Sequence, residues 1–176
     1  MELKENIKAQ IEKIRHQFPT EQALLIPLLH AVQEEHGWVS LDAMRACGEY
    51  LHLPLAKVRE VMSFYTMFKH EPTGKVHLQV CTNLSCSLSG SEKLMSCLEK
   101  KLGIKCGETT PDGRYTLSHA ECLAACGTAP VMQANDDYFE ELDVPELETM
   151  IDDWDEEMKK GNFRIGKSAR MEAHHE

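Results

Sequence analysis

Two short cysteine loops constrain this chain more than any other feature. The first reads Cys81-Thr-Asn-Leu-Ser-Cys86 and the second Cys122-Leu-Ala-Ala-Cys126-Gly-Thr-Ala-Pro130. They hold four of the seven cysteines, spaced C-x4-C and C-x3-C. Thiolate is the soft ligand that iron–sulfur clusters, Zn²⁺ and Cu(I) select. Four thiolates complete either an all-cysteine zinc site or a [2Fe–2S] or [4Fe–4S] cluster. Structural zinc usually takes C-x2-C knuckles, whereas a C-x4-C spacing also opens iron–sulfur cysteine sets. The spacing therefore favours iron–sulfur, with zinc as the open alternative. Small neighbours (Ser85, Ala124, Ala125, Gly127, Ala129) would let backbone amides approach the sulfurs. Such hydrogen bonds are one control on reduction potential. Free cysteines are often simply buried, but four of seven in two small-residue loops argue against that role here.

The remaining cysteines, Cys47, Cys97 and Cys106, read as core or strand residues. An odd count also argues against a disulfide framework. Of nine histidines only His119, three residues before Cys122, falls near the loops, as a candidate neighbour of the site. The N-terminus, Met1-Glu-Leu-Lys-Glu-Asn, opens a polar helix and not a signal peptide. The expected compartment is the cytoplasm, where thiols stay reduced. No apolar run approaches the ~20 residues that span a bilayer, so direct membrane insertion is not expected. A net charge of −10 repels phosphate backbones and argues against nucleic acid as a partner. Twelve acidic residues and no Lys or Arg fall in residues 136–157. That block is either a solvated face or a docking surface for a basic partner.

The chain divides into two patterns. Residues 1–70 read as a helical bundle. Ile7, Ile11, Ile14 and Phe18 recur at helical spacing. Pro19 stops that helix and Thr20 caps a second, running to about residue 35, in which Pro27 marks a kink or the true first turn. Gly37 ends it, Ser40 caps a third helix over residues 41–51, and Pro54 opens a fourth. His70-Glu-Pro-Thr-Gly74 is a turn-rich linker. From 75 to 158 the order becomes a small α/β layer. A strand over 76–80 leads to Cys81, and a helix covers 92–102. Strands follow over 106–110 and 114–119 around Pro111-Asp-Gly113, then over 131–134 and 138–142. Pro145 opens a last helix, and residues 159–176 read as a polar tail.

Absences narrow the chemistry. There is no G-x-G dinucleotide fingerprint, no phosphate loop, no C-x-x-C dithiol and no nucleophile elbow. If the chain handles electrons, another chain binds the flavin and the nicotinamide.

Six stretches, in order, resemble one family: Ala23-Leu-Leu-Ile-Pro-Leu-Leu-His30, Glu34-Glu-His-Gly-Trp38, Ser63-Phe-Tyr-Thr-Met-Phe68, Val80-Cys-Thr-Asn-Leu-Ser-Cys86, Gly107-Glu-Thr-Thr-Pro-Asp-Gly113 and Glu121-Cys-Leu-Ala-Ala-Cys126. The chain resembles the NuoE-type subunits of respiratory complex I, among the thioredoxin-like [2Fe–2S] ferredoxins. The resemblance implies a helical bundle followed by a thioredoxin-like domain. It implies one [2Fe–2S] cluster on Cys81, Cys86, Cys122 and Cys126 and no catalytic residue on this chain. It further implies an electron-transfer role in NADH:quinone oxidoreductase, beside a NuoF-type partner carrying FMN and the NADH site. The complex would lie on the inner face of the cell membrane. Equivalent diaphorase subunits of NAD(P)-linked hydrogenases or formate dehydrogenases are the nearest alternative, and a non-redox zinc interaction module the more distant one. Family members commonly carry Gly where this chain has Ala124, which matters if that position needs φ > 0.

Overall fold

The computed structural model describes residues 3–161 and 163. It forms two compact units, divided between Thr73 and Gly74.

The first unit is helical: α1 (Glu5–Ile14), α2 (Leu25–His36), α3 (Leu41–Tyr50) and α4 (Leu55–Phe64). Local signals account for most of its boundaries. Thr20 Oγ1 accepts from Ala23 N, but the turn it caps is a short 3-10 turn over Glu21–Leu24. The α-helix begins only at Leu25, which places Pro27 in its first turn. Proline lacks the N–H that would bond back to Ala23, so α-helix cannot start earlier without losing that bond. Gly37 ends α2 at φ +79, its N–H bonded to Gln33 O at 2.7 Å. Ser40 Oγ caps α3 through Ala43 N. Pro54 stands one residue ahead of α4, as its N-cap, and not at the first helical position expected.

Leu24, Leu25, Leu28, Leu29 and Val32 face inward with Ile7, Ile11, Val58 and Met62. Burying each large aliphatic side chain stabilises the unit by about 1.5–3 kcal/mol before entropy is counted. Gln33 then clamps the unit's end. Its Nε2 donates to Met67 O at 3.0 Å and its Oε1 accepts from Lys69 N at 2.7 Å.

The second unit holds β1 (Val76–Cys81), α5 (Leu84–Leu88), α6 (Ser91–Leu102), β2 (Tyr115–Ala120), β3 (Met132–Ala134), β4 (Asp137–Phe139) and α7 (Val144–Lys160). The sheet order is β2-β1-β3-β4. β1 runs parallel to β2, from Val76↔Tyr115 to Cys81↔Ala120, and antiparallel to β3. β3 and β4 form a hairpin whose two-residue turn holds Asn135 at φ +52. Asn135 Oδ1 accepts from His77 N at 2.9 Å and so pins the turn to β1. Leu78, Val80, Leu117, Leu94, Leu98, Leu147 and Ile151 make the core under α6 and α7.

Two strand expectations need correction. Residues 106–110 form no strand; only an isolated bridge joins Thr109 to Thr116. The strand expected over 138–142 stops at Phe139. Glu141 has φ +54, off the extended path, and its N–H bonds Thr128 O. Of the expected tail, Lys159 and Lys160 finish α7, Phe163 is buried in the core, and residues 164–176 lie outside the described residues. Among the described residues no helix is long and apolar enough to cross a membrane.

The Pro111-Asp-Gly113 turn carries a charge anchor. Asp112 accepts from Thr110 Oγ1 at 2.6 Å, Arg114 N at 3.0 Å and Arg114 Nε at 2.6 Å. These contacts hold its carboxyl down to about 2. A depressed folded-state value stabilises above the unfolded carboxylate value of ~4, and that stability drains as pH falls through about 2. The melting-temperature gap between wild type and Asp112→Asn should therefore be open at neutral pH and narrow between about pH 4 and pH 2. A gap independent of pH would remove the charge from the explanation.

Candidate metal centre

The parallel pairing of β1 with β2 builds the site. Parallel neighbours end at the same edge of a sheet, so the loops that follow them leave side by side. Here Cys81 ends β1 directly opposite Ala120, which ends β2. Thr82 N donates to Ala120 O at 3.0 Å, and Asn83 Nδ2 to Glu121 O at 3.0 Å. The first cysteine loop is thereby tied to the start of the second.

Each loop has its own local logic. Asn83 Oδ1 accepts from Leu84 N at 2.8 Å and starts α5, a single turn that carries Cys86. Cys86 is thus on a short helix, whereas a plain loop was expected. Cys126 opens a 3-10 turn that ends at Thr128. Thr128 N and Oγ1 both donate to Ala125 O. Cys81 and Cys86 are buried with Leu123 and Val131, and Ala120, Ala125, Ala129 and Tyr138 pack around them. Cys122 and Cys126 are exposed. The site has a dry wall and a wet one.

The four thiols interact. The Cys81 thiol is pushed up by burial, but the N–H groups of Asn83 and Leu123 and the thiols of Cys86 and Cys122 bring it below its ordinary value. The Cys86 thiol is raised, first by burial and then by Cys81, with Cys126 adding in the same direction, against the N–H of Val131. One thiol favoured as thiolate beside another held neutral is the pattern of like charges crowded at one place. A cation placed among them would relieve it.

The donor set fits an iron–sulfur cluster. It offers four soft ligands, the backbone N–H groups of Asn83, Leu123, Ala124 and Val131 aimed at sulfur and an apolar wall. Among the described residues no three His, Cys, Asp or Glu side chains close on one point as a single ion would require. A dinuclear cluster asks for less, because its two irons share four thiolates in pairs.

Ala124 sits at φ +58, with its N–H 3.3 Å from Cys122 Sγ. Left-handed backbone costs a non-glycine residue about 1–2 kcal/mol, and glycine gives back about 0.5–1 kcal/mol of that in chain entropy. Ala124→Gly should raise stability by about 0.5–1 kcal/mol, read as a shifted denaturant midpoint with an unchanged slope. An unmoved midpoint would mean that the loop relaxes the strain elsewhere.

The other candidates fall away from this centre. Cys47 is buried in the helical unit and Cys97 is half-buried on α6, close to expectation. Cys106, expected in a strand or core, is exposed. It contacts His119, because the segment that carries Cys106 forms a turn alongside β2 where a strand was expected.

Comparisons with known proteins agree with this geometry. The family description "thioredoxin-like [2Fe-2S] ferredoxin" matches residues 11–155. The chain is 42% identical over 146 residues to the E 2 subunit of the NADH-quinone oxidoreductase of Rhizobium meliloti (strain 1021), covering 83% of this chain and 87% of that one. It is 43% identical over 151 residues to the E subunit of the NADH-quinone oxidoreductase of Rickettsia prowazekii (strain Madrid E), covering 84% and 85%. Among solved structures, an NAD⁺-reducing [NiFe]-hydrogenase in the H₂-reduced state aligns with a TM-score of 0.67 at 19% identity. That alignment covers 82% of this chain but only 23% of the hydrogenase chain, and it shows a shared fold.

Proposed function

The chain belongs to the thioredoxin-like [2Fe–2S] ferredoxins, and on that premise we propose that it is the electron-transfer subunit of an NADH:quinone oxidoreductase, without a catalytic site of its own. Cys81, Cys86, Cys122 and Cys126 hold its single cluster. The observation that carries this reading is the convergence of four thiols at one edge of a parallel strand pair. When bound, the cluster supplies a site that takes up and returns one electron at a time.

The chain's own residues set the conditions. The N–H groups of Asn83, Leu123 and Val131 offset negative charge on the buried sulfurs. Leu123, Val131 and Tyr138 keep water from one side. Cys122 and Cys126 leave the other side open to a partner. That partner is a NuoF-type subunit holding FMN and NADH, and the assembly lies peripherally on the inner face of the membrane. The two compact units, divided between Thr73 and Gly74, act as separate domains. Limited proteolysis within His70-Glu-Pro-Thr-Gly74 should leave both halves resistant.

The test is anaerobic. Iron and acid-labile sulfide are measured on the purified chain, with EPR before and after dithionite. Equal iron and sulfide, silent when oxidised and paramagnetic when reduced, is the expected result. Zinc without sulfide, in protein never exposed to oxygen or chelator, would replace the redox role with a zinc interaction module. Chains that co-purify then identify the complex.

A further inference from the structure

A second thiol lies outside the four-cysteine centre in a set geometry. Cys106 is exposed, and its Sγ lies 3.5 Å from His119 Nδ1. Backbone contacts impose this approach. Gly107 turns the chain at φ +93 and its N–H donates to Leu117 O at 2.7 Å. Leu117 N donates back to Glu108 O at 3.0 Å. Leu117 and His119 alternate onto the same face of β2, so a turn pinned at Leu117 meets the His119 ring. Cys106 N is held by Glu99 Oε1 at 3.2 Å, and Lys105 N by Glu108 Oε2 at 2.7 Å.

The charged groups around the pair come from every neighbouring element. Glu99 projects from α6 and is paired with Lys105 Nζ at 3.0 Å. Lys105 and Glu108 lie on the turn itself. Glu121 follows β2, with Oε1 3.8 Å from His119 Nε2. The other two thiols outside the centre are shielded. Burial raises Cys47 to about 12. Burial and then the Glu148 carboxylate raise Cys97, whose Sγ donates to Glu148 Oε1 at 3.7 Å.

We propose that Cys106 is a site of reversible mixed-disulfide formation with a low-molecular-weight disulfide of the glutathione type, and that His119 handles the thiol proton. The proton leaves Sγ for Nδ1. The thiolate attacks one sulfur of the small disulfide, a new S–S bond forms and the old one breaks. The departing sulfur carries away the electron pair and takes the proton from His119. Cys106 sulfur is oxidised, the departing sulfur is reduced, and the small disulfide is the only oxidant required. A thiol on an exposed turn with a base in reach meets both demands of such exchange, access and thiolate formation.

The test uses the full chain loaded with its cluster. It is incubated anaerobically with glutathione disulfide at pH ~7, quenched in acid, and read by intact mass and peptide mapping. One adduct is expected, on Cys106, with the visible spectrum of the cluster unchanged; Cys106→Ser should take none. His119→Asn keeps a polar atom near the Nδ1 position but cannot carry the proton. It should slow the adduct by about tenfold or more at pH ~7. The difference should close toward pH ~10, where an ordinary thiol ionises unaided. A first adduct on Cys97 or on any of the four loop cysteines overturns the proposal. So does a His119→Asn rate equal to wild type at pH ~7. Adduct position is read separately from iron content, so failure here is distinguishable from failure of the electron-transfer reading. His119 lies on the surface with its side chain 55% exposed, and the cluster spectrum reports whether the variant keeps its fold.

Discussion

Replacing Cys86 with alanine is expected to abolish cluster loading while leaving the fold in place. Cys86 is 2% exposed, on the single helical turn that Asn83 starts and ties to Glu121 O. Alanine keeps that turn, since it needs no side-chain bond from residue 86, and it removes only the sulfur. Each iron of a dinuclear cluster relies on two protein thiolates, so one loss leaves an iron half-held and open to water. Iron and sulfide should fall together to background, and the visible absorption should vanish, with far-UV circular dichroism unchanged. Cys81→Ala, Cys122→Ala and Cys126→Ala should do the same, although the last two start from exposed positions. Cys47→Ala is the informative control. It removes a buried thiol from the helical unit, should cost about 1 kcal/mol of stability, and should leave loading intact. Full loading of the Cys86→Ala protein would take Cys86 out of the ligand set.

Gly74→Ala is expected to be the most damaging substitution that touches neither the core nor the cysteines. A Cβ there would stand 2.6 Å from Tyr115 C, 2.8 Å from Tyr115 N and 2.9 Å from Arg114 C. All three are backbone atoms, so no rotamer change relieves the overlap and β1 must move off β2. Gly74 N donates to Thr116 Oγ1 at 2.6 Å, Lys75 N to Gly113 O at 3.0 Å and Val76 N to Arg114 O at 2.8 Å. That movement strains all of these bonds. Overpacking costs typically 1–3 kcal/mol, and each weakened hydrogen bond adds about 0.5–1.5 kcal/mol, so a loss of about 3 kcal/mol is expected. Gly113→Ala provides the contrast. Its φ is +69, but a Cβ there meets nothing within 4 Å, so only the left-handed penalty of about 1 kcal/mol applies. Equal losses at the two positions would mean that β1 and β2 are not so closely apposed at Gly74.

The helical unit was the more legible half of the chain. Its stops and starts are written within a few residues of where they act. Ser40 caps α3 through Ala43, Gly37 ends α2 through Gln33, and Pro27 forbids an earlier start. The sheet was less legible. Residues 106–110 were expected as a strand, yet they turn alongside β2 with a single isolated bridge. Their partners, Tyr115, Thr116 and Leu117, lie just across the Pro111-Asp-Gly113 turn, but Gly107 at φ +93 breaks the extended path a strand would need. Cys106 was misplaced for the same reason: its exposure follows from the turn that its neighbour Gly107 makes at φ +93.

The chemistry of the site divides in the same way. Four cysteines in two small-residue loops, with no dinucleotide or phosphate loop, point to a thiolate centre, because ligand softness is a property of residue type. The Ala124 position could be flagged in the sequence, but its strain exists only because the folded loop holds φ at +58. That the two cysteine loops lie side by side was decided by tertiary structure. β1 pairs in parallel with β2 and ends at the same edge, which brings Cys81 and Cys86 beside Cys122 and Cys126. Residue identity determined the softness of the ligands on offer. Long-range strand pairing, which no local preference encodes, brought the two cysteine loops to one edge of the sheet.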